Sequence, residues 1–277
     1  MERVADRYGV PLASVVRAEG PVVAFALHAG HALRPGLDEV SALSEDDRLR
    51  EEDPYTATMV PDGVSLVEAV RSRFEVDLNR PRERAVYRGP EDAWGLDLYR
   101  RPPSADVLSA SLSVYDDFYE TAHAVLTQME RDHGRFVVLD LHSYNHRRDG
   151  MTAVASPIER NPEVNLGTGR IDRDRWGDVA DSFMESMLDS GFDCRENVRF
   201  RGGYFSQWVS ENFPESGVAL AIEFKKIYMD EWTGRPDHAA ILRIREALGV
   251  AIERIEEALS ARAWSSDRVP SIEGLRA

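Results

Sequence analysis

The sequence predicts an α/β fold: a mixed, mostly parallel central sheet flanked by helices, in a single domain spanning residues 1–277. Three observations predict it. Short apolar runs without polar alternation recur along the chain, as in strands covered on both faces. Stretches with helical spacing alternate with these runs. No linker-like segment divides the 277 residues, a length that buries a sizeable core.

The elements follow in order. Val22–Leu27 (VVAFAL) reads as a buried strand, and Val64–Val70 and Phe74–Leu78 as two more. Segment 80–106, rich in Arg, Pro, Asp and Gly, reads as a long loop, a place where function often resides. Leu112–Met129 is helical by the spacing of Leu112, Tyr115, Tyr119, Ala122, Leu126 and Met129. Val137–Leu141 is a strand, and 145–174 a second long loop. Trp176–Leu188 is helical, with Gly191 as its stop signal. Val218–Ile222 (VALAI) is a strand, and Ile241–Leu259 a final helix.

Composition narrows the function. Hydrophobic residues at 43% and charged residues at 30% are those of a soluble globular protein. A net charge of −15 opposes binding to nucleic acid or an anionic membrane, because phosphate is repelled. Cys194 is the only cysteine, which excludes an internal disulfide and a cysteine-based zinc site and fits a reducing cytoplasm. The first residues carry acids and no signal-like apolar core, and no run approaches the roughly 20 apolar residues of a membrane span. A soluble, cytoplasmic protein is expected.

Three of the strands end in chemistry. VVAFAL runs into His28, VVLDL into His142, and VALAI into Glu223. Carboxyl ends of neighbouring parallel strands gather on one sheet edge, where ligands bind. Two histidines then want a third ligand and an open position for water. The best local source of a carboxylate is Glu51-Glu52-Asp53, which Pro54 keeps extended. Glu223 is left over as general base and later general acid. Asp140 shares a strand face with His142 and stands ready to hydrogen-bond it. Asn79 and Arg80, with Arg73 upstream, form either a carboxylate clamp or a surface ion-pair cluster. Ser143, Tyr144 and His146 are candidate pocket residues, and His31 either supports a ligand or caps a turn.

These pieces resemble the N-formylglutamate amidohydrolases, relatives of the zinc carboxypeptidases and of the aspartoacylase and succinylglutamate desuccinylase group. The resemblance rests on LHAGH at 27–31, EEDPYT at 51–56, RFEVDLNRP at 73–81, VLDLHSYNHRR at 138–148, FRGGY at 200–204 and AIEFKKIYMDE at 221–231. It implies a phosphorylase/hydrolase-like fold and one zinc ion, or another divalent transition metal in the same donors. His28, His142 and one of Glu52 or Asp53 are then metal ligands. By the same resemblance Arg73 polarises the scissile carbonyl, Asn79 and Arg80 hold the substrate carboxylate, and Glu223 is the catalytic carboxylate. The implied substrate is a small carboxylate-bearing N-acyl amino acid, N-formyl-L-glutamate first. Two other readings compete: a metallopeptidase acting on a peptide or cell-wall fragment, which needs an open groove, and a non-catalytic binding protein, in which Glu223 turns away from the site.

Overall fold

The computed structural model describes residues 1–266. In chain order its regular elements are β1 (Glu2–Ala5), β2 (Pro11–Val16), β3 (Val22–Ala26), α1 (Pro35–Asp38), α2 (Glu45–Glu51), β4 (Ser65–Ala69), α3 (Ala105–His133), β5 (Phe136–Tyr144), β6 (Val164–Gly167), α4 (Arg173–Asp189), β7 (Cys194–Glu196), α5 (Tyr204–Asn212), β8 (Gly217–Lys225) and α6 (His238–Ser266). All eight strands join one sheet in the order β1-β2-β4-β3-β5-β8-β6-β7. Its centre, β4-β3-β5-β8, is parallel, while β2 joins β4 and β6 joins β8 antiparallel.

The central strands are apolar because both faces are covered. Val137, Leu139 and Leu141 of β5 pack into a core completed by α4 and α6, and Phe136 and Val138 into a second core completed by α3 and α5. The helices start where capping residues allow. The Ser104 hydroxyl accepts the Val107 N–H at α3, and the Asp172 carboxylate accepts two N–H groups at α4. Gly134, at φ 70°, ends α3 in a conformation that favours glycine. Among the described residues no helix is long and apolar enough to cross a membrane.

The chain leaves β3 for β4 on one side and then returns to β5 on the other. The strand order therefore reverses between β3 and β5, and a crevice opens there at the carboxyl ends.

Two readings of the sequence need correction. Phe74–Leu78 is not a strand but a tight turn, with the N–H groups of Glu75 and Val76 donating to the Ser72 carbonyl. Its apolar residues reflect burial rather than pairing: Val76 and Leu78 enter the second core, while Phe74 packs with Tyr87, Ala93 and Leu98. The loop read over 145–174 contains β6. β1, β2, β6 and β7 carry no continuous apolar run, and α5 begins directly after the glycines at 202 and 203.

Candidate active site

His28 follows β3, and His142 and Glu223 sit opposite one another in the β5–β8 register. The third element is the segment leaving α2. There the Asp53 N–H donates to the His28 carbonyl at 2.9 Å, which fixes Asp53 beside the first histidine. One carboxylate oxygen of Asp53 lies 3.3 Å from His28 Nδ1 and 3.1 Å from His142 Nδ1. The other accepts the Ser143 hydroxyl at 2.9 Å. Ligand atoms of His28, Asp53 and His142 all fall within 4.8 Å of one another, and all three residues are buried.

The far nitrogens of both imidazoles are also held. His28 Nε2 is 2.8 Å from Asp77, and His142 Nε2 is 2.9 Å from Asp140. Those carboxylates are fixed in turn: Asp77 takes Arg73 and the Tyr87 hydroxyl, and Asp140 takes Ser206 of α5. Imidazoles anchored at one nitrogen by a carboxylate and turned inward at the other are the usual support of a metal centre. Two such imidazoles and a carboxylate suit a divalent transition metal, with a position left for water.

The charges agree. Burial would raise the Asp53 carboxyl, yet hydrogen bonds from His142 and His28 hold it below the usual carboxylate range. Burial would lower His142, but the charge and hydrogen bond of Asp140 push it well above the ordinary imidazole value. Glu223 behaves oppositely. Burial, aided by Asp53 and Asp140, raises it to about 8 despite the opposing pull of His142. One site thus holds an ionised carboxylate and a carboxyl poised to carry a proton, the separation that acid–base chemistry exploits.

These groups line a cleft of about 490 Å³ with Arg73, Asn79, Tyr144, Arg148, Arg199 and Lys226 among its walls. The family model for N-formylglutamate amidohydrolase matches residues 20–229, which span every wall residue just named.

The chain belongs to the N-formylglutamate amidohydrolase family.

The N-formylglutamate deformylase of Pseudomonas aeruginosa is 27% identical, over 92% of this chain and 97% of that relative. An N-formylglutamate amidohydrolase structure from Ralstonia eutropha JMP134 shares the fold with a TM-score of 0.70 at 18% identity, covering 91% of this chain and 99% of that one. A gene product of Agrobacterium tumefaciens matches at 0.63, also with 18% identity, covering 91% and 96%.

Within this family member several expected site residues lie elsewhere. Glu52 is fully buried but faces away from the histidine pair, bonded to His31 Nδ1 at 2.5 Å and to the Ser72 hydroxyl. His31 therefore contacts Glu52 rather than the cluster. Arg80 leaves the cleft for Asp77 and the Asp92 carbonyl and covers the Tyr87 ring. His146 lies beyond the end of β5, beside a separate hollow with Trp232 and Arg235. Asn79 stays, with its amide nitrogen 3.2 Å from His142 Nε2 and its oxygen accepting the Phe205 N–H.

Asp77, Lys226 and Arg199 were not singled out by sequence. Asp77 sits in the quoted RFEVDLNRP run, and Lys226 in AIEFKKIYMDE, but neither carries a local signal of its role. The Lys226 ammonium donates to the carbonyls of Arg50 at 2.5 Å and Glu52 at 2.7 Å, bracketing the segment that delivers Asp53. Burial lowers it to about 8. Lys226→Met leaves both carbonyls without their donor, so a loss of about 1–3 kcal/mol is expected, measured by urea unfolding. Weaker metal binding should accompany it, since Asp53 loses its tether.

Proposed function

We propose that this protein hydrolyses the amide bond of N-formyl-L-glutamate, releasing formate and L-glutamate, with one zinc ion held by His28, Asp53 and His142. The observation that carries the reading is Glu223. It lines the same cleft as the three candidate ligands and stands in register with His142. That placement favours catalysis over binding alone, since a non-catalytic site does not require a carboxyl beside its candidate metal ligands. Family membership and the deformylase relative support the reaction class.

A divalent cation held by His28, Asp53 and His142 would supply a Lewis acid for the amide oxygen and would make water more acidic. The chain does the rest. Glu223 takes the proton of the attacking water and returns it to the leaving nitrogen; a divalent cation beside it would favour the ionised form that a base needs, and burial favours the protonated form that an acid needs. Arg73 faces the same cleft, fixed by Asp77, the Tyr87 hydroxyl and the Glu51 carbonyl, so the N–H groups it has left meet developing oxyanion character without reorganisation, although its charge is shared with Asp77. Asp77 and Asp140 keep the imidazoles oriented. The cleft of about 490 Å³ has room for a small N-acyl amino acid.

The test is formate release from N-formyl-L-glutamate by zinc-loaded protein, followed by chelation. Activity is expected to vanish with chelator and to return with zinc. Release that survives metal removal would refute the metal-dependent mechanism, and the absence of release from loaded protein would refute the substrate.

A further inference from the structure

Resting on the reading above, we propose that Arg199 is the specificity-determining residue of this cleft, the cation that receives the side-chain carboxylate of the N-acyl amino acid. A dicarboxylic substrate entering here meets Glu51, Asp53 and Glu223, so the wall cations decide where its carboxylates settle. Four cations line the wall, and two of them are ion-paired. Arg73 pairs with Asp77 at 3.1 Å and Arg148 with Glu51 at 3.0 Å. Lys226 keeps its charge but commits two of its three N–H donors to the carbonyls of Arg50 and Glu52, whereas Arg199 commits a single side-chain bond, to Asn161. Arg80, the cation that the DLNR motif offers, is outside. Among the described residues Arg199 makes no ion pair.

Its placement is nonetheless held from three directions. Asn165 is fully buried and stands opposite Glu223 in the β6–β8 register. Its amide accepts the Arg199 N–H at 2.8 Å and donates to the Phe200 carbonyl at 2.9 Å, which fixes the backbone. The guanidinium donates one hydrogen bond to the buried Asn161 amide oxygen at 2.6 Å. It also lies 4.9 Å over the Tyr144 ring. A neutral amide orients a guanidinium without neutralising it, so its remaining N–H donors stay available for a carboxylate fork.

Reach selects the carboxylate. Tyr144 is two residues beyond His142 on the same face of β5, about 7 Å farther along the strand. The α-carboxylate of an N-acyl amino acid lies close to the scissile amide, whereas the side-chain carboxylate of glutamate extends several bonds farther. Arg199 over Tyr144 therefore matches the distal group.

Calorimetric titration of zinc-loaded protein with L-glutamate and with L-glutamine tests this directly, in wild type, Arg199→Met and Arg199→Lys. Wild type should prefer glutamate. Arg199→Met should lose about 10- to 100-fold in glutamate affinity with glutamine binding nearly unchanged, and Arg199→Lys should lose less, because charge remains without the fork. In turnover of N-formyl-L-glutamate the loss should fall on KM rather than kcat. Equal glutamate affinity in wild type and Arg199→Met, or no preference for glutamate in wild type, would overturn the assignment. Failure of the amidohydrolase reading has a different signature: no formate from wild type, while the calorimetric difference between wild type and Arg199→Met still decides the role of Arg199.

Discussion

Glu223→Gln should lower formate release by about 10²–10⁴-fold while leaving zinc binding intact. The amide keeps the size and one acceptor oxygen of the carboxylate but cannot take a proton from water or return it to the leaving nitrogen. The same substitution should stabilise the metal-free fold. Glu223 is raised from 4.5 to about 8 by burial and by the charges of Asp53 and Asp140, against the pull of His142. Below the lower value both the folded and unfolded chains hold the proton, and no penalty arises. Between the two values the unfolded chain ionises and the folded one does not, so stability falls as pH rises, and it is level again above about 8. Glutamine removes that slope. The side chain is only partly buried and its cleft admits water, so a gain of about 1–2 kcal/mol is expected at pH 8 rather than the larger figure that the full shift implies, with no gain near pH 4. Urea unfolding of both proteins after chelation, at pH 4, 6 and 8, reads the difference. A variant that is inactive but no more stable at pH 8 would mean that wild-type Glu223 is already ionised in the metal-free fold.

The pattern of what the sequence reveals has a physical cause. β3, β5 and β8 are legible because each is covered on both faces, and such strands need continuous apolar runs, while β4 is legible from Leu66, Val67 and Ala69 although one of its faces is half-exposed. β1 and β7 are edge strands of four and three residues, too short for any periodicity. Phe74–Leu78 (FEVDL) alternates as a half-buried strand would, but its apolar side chains enter two different cores from a turn.

For the site, strand-end position made His28, His142 and Glu223 legible, since the edge that gathers them follows from parallel pairing. The choice between Glu52 and Asp53 was not legible. They are adjacent, and only the backbone bond from Asp53 to His28 turns one carboxylate inward and the other toward His31 and Ser72. His146 continues the alternation of His142 and Tyr144 on paper, but β5 ends at Tyr144, so the alternation stops before reaching it. Arg80 looked free because its competitors were invisible: Asp77 is three residues away and Asp92 arrives from the 80–106 segment. Arg199 has no sequence signature, because its value comes from Asn161, Asn165 and Tyr144 meeting around it.

Asp53→Ala carries the second large effect. It should abolish turnover and weaken zinc binding by orders of magnitude, because the carboxylate joining the two inward nitrogens disappears. It should also destabilise the metal-free fold at neutral pH by about 3–5 kcal/mol, since the buried groups facing it lose their partner. The pH dependence separates this from a simple cavity. Asp53 is held below its ordinary range of 3.8, where burial alone would have raised it, by hydrogen bonds from His142 and His28. A depressed carboxyl contributes stability above its unfolded value, and that contribution is lost as pH falls through the folded one. Metal-free wild type should therefore lose stability on acidification below about pH 4, and Asp53→Ala should lose less over the same interval. Glu52→Gln is the control. Glu52 meets His31, Ser72 and Arg48 and none of the inward nitrogens, so zinc affinity should survive its replacement. Calorimetric zinc titration of the two variants distinguishes the neighbours: tight binding by Asp53→Ala with weak binding by Glu52→Gln would hand the third ligand back to Glu52 and require the α2 exit to rearrange around the metal.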